Sequence, residues 1–226
     1  LTVQGDIFGA DLSQTYTIPA IRYPFLRVLD GDSYFSGGNL LARWTRTLAS
    51  DSTMSLQAYY DRSNLDDYHT SDERDTFDLE LRHNIAPIGR HELTWGMGFR
   101  YIRGHVDGSD QSSFYPEANR KRLFSTFLQD RISFADDKLL LTLGTKLEHN
   151  DSTGFEIQPS ARLAWTPNDK HTLWVAASRA VRTPSLSDEG GRAAFVGLPR
   201  TFFMFLGNED VDSVDLLSFE AGYRLR

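Results

Sequence analysis

The sequence contains no cysteine in its 226 residues, which excludes disulfide frameworks, thiol catalysis and zinc–thiolate sites together. Long apolar runs are also missing. A transmembrane helix needs about 18 or more consecutive apolar residues, whereas the apolar stretches here, such as Leu139–Leu143, end after a few positions. The sequence therefore excludes a helical membrane protein.

Clusters of basic residues are absent as well. The formal net charge is −7 at neutral pH, and Lys and Arg are spread along the chain. Nucleic-acid binding needs clustered cations that neutralise phosphates, so we expect no nucleic-acid partner. The chain begins with Leu1 and shows no basic segment followed by an apolar one. This start predicts a truncated or internal segment, with any signal peptide lying outside it.

Alternation of apolar and polar residues with a period of two is the dominant pattern. In residues 139–148, for example, Leu141 and Leu143 lie on one side of an extended chain, while Lys146 and Glu148 lie on the other. Similar segments are 76–85, 92–101, 156–165 and 217–226 and, more weakly, 1–9, 40–48 and 54–61; segments 122–134 and 171–181 leave the face assignment open. The pattern predicts an all-β, antiparallel fold of about ten strands.

The connections between these segments alternate in length. Short polar turns are expected at 49–52, 87–90, 135–138 and 167–170, and long connections near 10–36, 62–74, 106–120 and 183–215. Short turns at one end and long loops at the other are typical of outer-membrane β-barrels. A soluble β-sandwich or lipocalin-like binder produces the same alternation but turns its apolar faces inward.

If these strands form a membrane barrel, one face of each strand contacts lipid and the other face lines the lumen. The lipid-facing residues would include Leu141, Leu163 and Phe219, and the lumen-facing residues would include Lys146, Arg162 and Glu220. The fold class that we predict is therefore an antiparallel transmembrane β-barrel segment.

Residues that carry a family resemblance lie between Lys121 and Arg226. They are Phe127-Leu128-Gln129-Asp130, then residues 141–148, 159–165 and the turn 167–170, then residues 178–185, Gly207-Asn208-Glu209 and residues 219–224. In this order and spacing they resemble the later barrel strands of TonB-dependent receptors. The sequence departs from the family pattern at Thr183, where a small Ala is usual, and at 209–214, which replace a usual Pro, Leu and Lys-Pro-Glu run.

The resemblance implies a barrel of about 22 antiparallel strands, of which residues 1–226 would form a part without the plug domain. It implies an outer-membrane receptor that takes up a scarce nutrient such as a ferric siderophore, another metal chelate or a vitamin. The implied partners are TonB, reached through the missing plug domain, and outer-membrane lipid and lipopolysaccharide. The implied location is the bacterial outer membrane.

Enzymatic signals are weak in this sequence. No two of the six histidines have a spacing of two or four residues, and no Gly-x-Ser-x-Gly motif occurs. We therefore predict no catalytic residues, no metal site and no cofactor. The alternative is a self-contained ten-stranded outer-membrane enzyme of the omptin protease kind.

Ligand recognition is expected in the long connections, above all 106–120 and 183–215. Tyr115 offers an aromatic face there, and Arg192 and Arg200 offer fixed positive charge. An aromatic ring stacks on a flat ligand, and a guanidinium donates two parallel hydrogen bonds to an anionic one. These three residues are the candidate ligand-binding residues.

Overall fold

A computed structural model describes residues 1–19, 23, 26–48, 51–109, 112–197 and 201–226. Ten strands form one sheet in the order β1-β2-β3-β4-β5-β7-β8-β9-β10-β13, and a smaller sheet has the order β12-β11-β6. The elements are β1 (Thr2–Pro19), β2 (Leu26–Thr47), β3 (Thr53–Asp66), β4 (Thr70–Asn84), β5 (His91–Gly108), β6 (Ser112–Phe114), β7 (Ala118–Phe134), β8 (Leu139–Asn150), β9 (Gly154–Asn168), β10 (His171–Arg182), α1 (Leu186–Gly190), β11 (Gly191–Gly197), β12 (Thr201–Leu206) and β13 (Val214–Leu225). The predicted antiparallel, all-β fold is confirmed.

The described part of the chain contains no helix with the length and apolar character that a helical membrane crossing requires.

Strand register places the predicted apolar residues on one common face. Leu141 of β8 lies directly opposite Leu163 of β9, and Leu163 lies opposite Val175 of β10. Ala177, two residues after Val175 in β10, lies opposite Phe219 of β13. Because side chains alternate along a strand, Lys146, Arg162 and Glu220 belong to the other face. We call these the apolar face and the polar face of the large sheet.

Register also assigns the two segments that the sequence left open. In β7, Leu128 pairs with Trp95 and Thr145, which places it and its even-numbered neighbours on the apolar face. Asp130 and Arg122 fall on that same face and obscure the pattern in the sequence. In β10, the odd-numbered residues join the apolar face, and Trp174 lies on the polar face opposite Ala164.

The large sheet has almost no core of its own. Among the described residues, Ile18 and Val106 are the buried hydrophobic side chains. Large apolar side chains on the apolar face are instead exposed, for example Phe155 at 82% and Phe219 at 81%. A soluble sandwich would cover such a face with a second layer, and within the described residues none does. The apolar face is suited to lipid.

Two of the predicted long loops are largely strand. Residues 10–36 contain the ends of β1 and β2, and residues 62–74 contain the ends of β3 and β4. Ser13 donates a hydrogen bond to Asp32 (2.8 Å) and Thr15 donates one to Asp30 (2.9 Å), so polar side chains pair across the hairpin. The outer parts of β2 to β4 carry polar residues on both faces, so the alternation that predicts a strand is missing there. In β1 the apolar residues change from odd positions, such as Ile7, to even positions, such as Leu12 and Ile18, which hides the continuation of the strand. The connections after β5 and β10, in contrast, contain the small sheet and α1.

Candidate functional site

The polar face carries a row of paired charges and one aromatic contact. Arg100 donates a hydrogen bond to Asp78 (2.8 Å), and the guanidinium of Arg162 lies 5.4 Å from the ring centroid of Trp174. From Ala118 to Leu128 of β7, the side chains alternate between exposed on the apolar face and half-buried on the polar face. This difference indicates that the polar face is the concave side of the sheet.

The small sheet joins two connections that lie far apart in the sequence. β6 follows β5, β11 follows β10, and Phe114 of β6 pairs with Gly191 of β11. Just beyond β6, the backbone N–H of Tyr115 donates to the carbonyl of Gly190 (2.9 Å). The described parts of the predicted recognition loops 106–120 and 183–215 therefore form one structure. We call the end of the large sheet that carries them the loop end. The opposite end, with the short turns, is the turn end.

Helix α1 begins with a capping box. Ser185 Oγ accepts from the backbone N–H of Asp188 (3.2 Å), and the Asp188 carboxylate accepts from the backbone N–H of Ser185 (2.9 Å). Hydrogen bonds from the backbone N–H and the hydroxyl of Ser185 lower the pKa of Asp188 below its usual value. The guanidinium of Arg182, which lies 3.1 Å away, lowers this pKa further. This arrangement fixes the first turn of a helix that has five residues.

An ion pair ties α1 to the polar face. Lys121 of β7 lies opposite Ile102, which places its side chain on the polar face. Its Nζ lies 2.5 Å from Glu189 of α1 and 2.8 Å from the hydroxyl of Ser152 in the β8–β9 turn. The helix therefore folds back over the polar face instead of projecting away from it.

A cavity of about 760 Å³ lies between α1 and the polar face. Its charged lining residues are Arg74, Arg100, Lys121, Arg122 and Lys146 together with Asp67, Asp72, Glu148 and Asp151. Several of these pair with one another, as Arg74 does with Asp72 (2.9 Å) and Lys146 does with Glu148 (2.6 Å). One buried oxygen of Asp72 accepts no hydrogen bond from the described residues. The cavity therefore offers directed hydrogen bonds from many fixed donors and acceptors, with little net charge.

The structure brings two of the three predicted ligand-binding residues into contact. The guanidinium of Arg192 lies 4.9 Å from the ring centroid of Tyr115, in cation–π geometry. Both side chains are exposed and lie beside the cavity, outside its lining. Arg200 lies outside the described residues. The cavity residue Lys121 and its ion-pair partner Glu189 were missed, because 68 positions separate them in the sequence.

One group of side chains could hold a metal ion. The ligand atoms of His105, Asp107 and Glu117 lie within 4.8 Å of one another, and His105 Nε2 lies 3.1 Å from Asp107 Oδ1. All three residues are exposed, so water competes for every ligand position. Sequence spacing could not reveal the group, because Glu117 comes from the chain that leads into the neighbouring strand. The His105–Asp107 contact accounts for the arrangement without an ion.

Beta-strand 12 presents a run of apolar side chains. Phe203, Met204, Phe205 and Leu206 are each more than half exposed. The strand pairs with β11 along one side and is an edge of the small sheet. Its apolar surface lies at the loop end, next to the cavity region.

Comparisons with known proteins agree with this geometry. A family model described as the β-barrel of TonB-dependent receptor-like proteins matches residues 4–226. No curated protein sequence gives a significant match. Among solved structures, the siderophore receptor PirA from Pseudomonas aeruginosa is similar over 97% of this chain, with a TM-score of 0.68 and 18% identity.

Two further solved structures show the same likeness. PirA from Acinetobacter baumannii is similar over 99% of the chain (TM-score 0.66, 13% identity). A mutant of the ferric enterobactin receptor PfeA from Pseudomonas aeruginosa, in complex with enterobactin, is similar over 99% (TM-score 0.59, 16% identity). The chain spans 43%, 41% and 41% of the lengths of these three structures. At such identities the likeness shows the fold.

Proposed function

The chain belongs to the TonB-dependent receptor-like β-barrel family of the outer membrane, and we propose that it forms part of a receptor that imports a scarce nutrient. The observation that carries the proposal is the family match across residues 4–226. In this proposal the large sheet contributes to the barrel wall, and the polar face lines the lumen. Energy for transport would come through TonB, acting on a plug domain that fills the barrel.

The cavity at the loop end has the size and the polar groups to bind a bulky polar ligand. Its volume of about 760 Å³ is in the range of small-molecule sites, about 300–1,000 Å³. Its guanidinium and ammonium groups suit oxygen-rich ligands such as metal chelates. The structural neighbours are described as siderophore receptors, and one of them holds enterobactin. A ferric siderophore is therefore the ligand class that we propose, with other metal chelates and vitamins as alternatives.

We further propose that Tyr115 and Arg192 form the outer contact surface for this ligand, with Arg200 as a third member. Their cation–π contact holds the Arg192 guanidinium against the Tyr115 ring. A ligand arriving at the loop end would meet this pair before it reaches the cavity charges beneath α1.

We also propose that the chain has no catalytic role. Ser52 Oγ lies 2.7 Å from His83 Nε2, which is the geometry of a nucleophile beside a base. Trp95 Nε1, however, donates to His83 Nδ1 (3.2 Å). Because the indole nitrogen is only a donor, the neutral imidazole must carry its proton on Nε2, so it cannot take a proton from Ser52. Within the described residues, nothing favours the omptin-like alternative.

Deletion of residues 186–206 in the full-length receptor tests the proposal. The deletion removes the whole of α1, β11 and β12. We therefore expect ferric enterobactin, used as the probe, to lose measurable binding and uptake while outer-membrane insertion persists. A finer variant is Arg192→Ala, which should weaken binding about tenfold through loss of one charge-assisted contact. Arg131→Gln is the matched control, because this polar-face arginine pairs with Glu92 (3.1 Å) at the turn end. Unchanged affinity and uptake after the deletion would contradict the placement of the ligand.

A further inference from the structure

Each cation that lines the cavity beneath α1 is already paired with a carboxylate. The pairs are Arg74–Asp72 (2.9 Å), Arg100–Asp78 (2.8 Å), Lys121–Glu189 (2.5 Å), Arg122–Asp151 (3.2 Å) and Lys146–Glu148 (2.6 Å). Within the described residues, no lining cation is therefore left over to pair with an anionic ligand.

Asp67 adds a further carboxylate to the lining. It lies between β3 and β4, and its Oδ1 accepts hydrogen bonds from the backbone N–H groups of His69 (2.7 Å) and Thr70 (2.8 Å). No Lys or Arg of the described residues forms an ion pair with it. Arg192, which contacts the Tyr115 ring, lies outside the lining and does not alter this balance. The lining cations are thus fewer than the carboxylates that surround them.

The rest of the polar lining is uncharged. Its hydroxyl and amide side chains belong to Thr70, Ser112, Asn119, Asn150, Ser152, Thr183, Ser185 and Ser187. Hydroxyl and amide groups both donate and accept hydrogen bonds. They therefore suit neutral polar groups on a ligand, such as amides and hydroxamates, as well as they suit anions.

A ligand with several negative charges would bind in this cavity at a cost in free energy. Its charges lose water on entry, and only cations that are free to pair compensate for that loss. A lining cation could turn to the ligand only by leaving its own carboxylate without a partner. For Lys146, that carboxylate is Glu148, which is only 8% exposed. A ligand without net negative charge leaves all of the ion pairs intact.

We propose that the cavity selects a ferric chelate without net negative charge, of the trishydroxamate class, over a polyanionic triscatecholate such as ferric enterobactin. Three hydroxamates, with one negative charge each, neutralise Fe³⁺, whereas three catecholates leave the complex with three negative charges. The inference rests on the proposed function, because it concerns the ligand of the same cavity. The structural neighbour that holds enterobactin does not decide the matter, since at 16% identity the likeness shows the fold alone.

Three forms of one chelate separate the effect of charge from that of shape. Ferric desferrioxamine B is a trishydroxamate with a terminal amine, which gives a cation when free, a neutral complex when acetylated and an anion when succinylated. Isothermal titration calorimetry with the full-length receptor measures the affinity for each form and for ferric enterobactin. We expect the cationic form to bind at least as tightly as the neutral form. The succinylated form should bind about tenfold more weakly than the neutral form, and ferric enterobactin more weakly still.

Asp78→Asn should change this preference. Asp78 lies outside the lining, so its substitution frees the guanidinium of Arg100 in the cavity without removing a lining group. We expect the succinylated form to gain about tenfold in affinity relative to the neutral form. Asp72→Asn, which frees Arg74 in the same way, is a second variant for the case that Asp78→Asn does not fold.

Glu92→Gln is the matched control. It frees Arg131 on the polar face at the turn end (3.1 Å in the wild type), far along the strands from the cavity, and should leave the ratio of the two affinities unchanged. An equal gain for the succinylated form in Glu92→Gln would overturn the inference, because the gain would then reflect net charge alone.

Two further results would overturn the inference while leaving the proposed function in place. One is binding of the succinylated form by the wild type as tightly as the neutral form or more tightly. The other is an unchanged affinity ratio in the folded Asp78→Asn and Asp72→Asn variants. If none of the four chelates binds, the proposed ligand class fails and this inference fails with it.

Discussion

Residues at adjacent positions along a strand of the large sheet lie on opposite faces, one polar and one apolar. Arg162 lies on the polar face, where its guanidinium contacts the Trp174 ring. Leu163 lies on the apolar face, between Leu141 on one neighbouring strand and Val175 on the other. The change in the free energy of unfolding that a substitution causes should therefore depend on the face that carries the residue more than on its position along the strand.

Substitutions at these two positions test the face assignment. Leu163→Arg should destabilise the folded barrel by about 2–4 kcal/mol if the residue lies near the middle of the bilayer. Arg162→Gln should cost less, because it remains polar on a polar face. The measurement is unfolding of the full-length receptor in lipid bilayers. Equal tolerance of both changes would mean that the apolar face does not contact lipid.

At the scale of elements, α1 depends on its first turn more than on its length. Five residues are too few for a helix to be stable by itself, so the capping box and the Lys121–Glu189 ion pair hold it in place. Both contacts involve carboxylates. The stability of this element should therefore depend on pH.

We predict that α1 loosens in acid. The pKa of Asp188 is lowered by the donors of Ser185 and by Arg182, so its stabilising contribution is present above the usual Asp pKa, about 3.9, and is lost as pH falls through the lower folded value. Ser185→Ala should weaken the helix by about 1 kcal/mol at neutral pH. Hydrogen exchange at the α1 amides measures both effects. Protection factors, corrected for the intrinsic exchange rate at each pH, that depend neither on pH nor on Ser185 would show that other contacts fix the segment.

The sequence pattern predicted some of these elements and missed others. Period-two alternation found the strands whose faces differ in polarity, such as β8 and β9. It missed the outer parts of β2 to β4, because those segments carry polar residues on both faces, and it missed the outer part of β1, where the apolar residues change from odd to even positions. It also missed the small sheet, since the pairing of Phe114 with Gly191 depends on how two distant connections meet. Tyr115 and Arg192 were identified by residue type, and their mutual contact follows from that pairing.

The whole molecule is a sheet with two edges that lack partners within the described residues. β1 pairs with β2 on one side, and β13 pairs with β10 on one side. The solved structures that resemble this chain are more than twice its length. In lipid, each unpaired backbone N–H or C=O costs several kcal/mol, so these edges require further strands.

Residues 1–226 expressed by themselves should therefore associate with one another, whereas the full-length receptor should remain a monomer in the same detergent. The edges of one copy can pair with the edges of a second copy, because an exposed strand edge is a template for another chain. Analytical ultracentrifugation of both proteins at equal concentration measures the difference. Dilution should dissociate the short form only together with loss of β-structure in circular dichroism, since separated edges are unsatisfied. A short form that stays monomeric and fully folded would mean that β1 and β13 find partners within the chain.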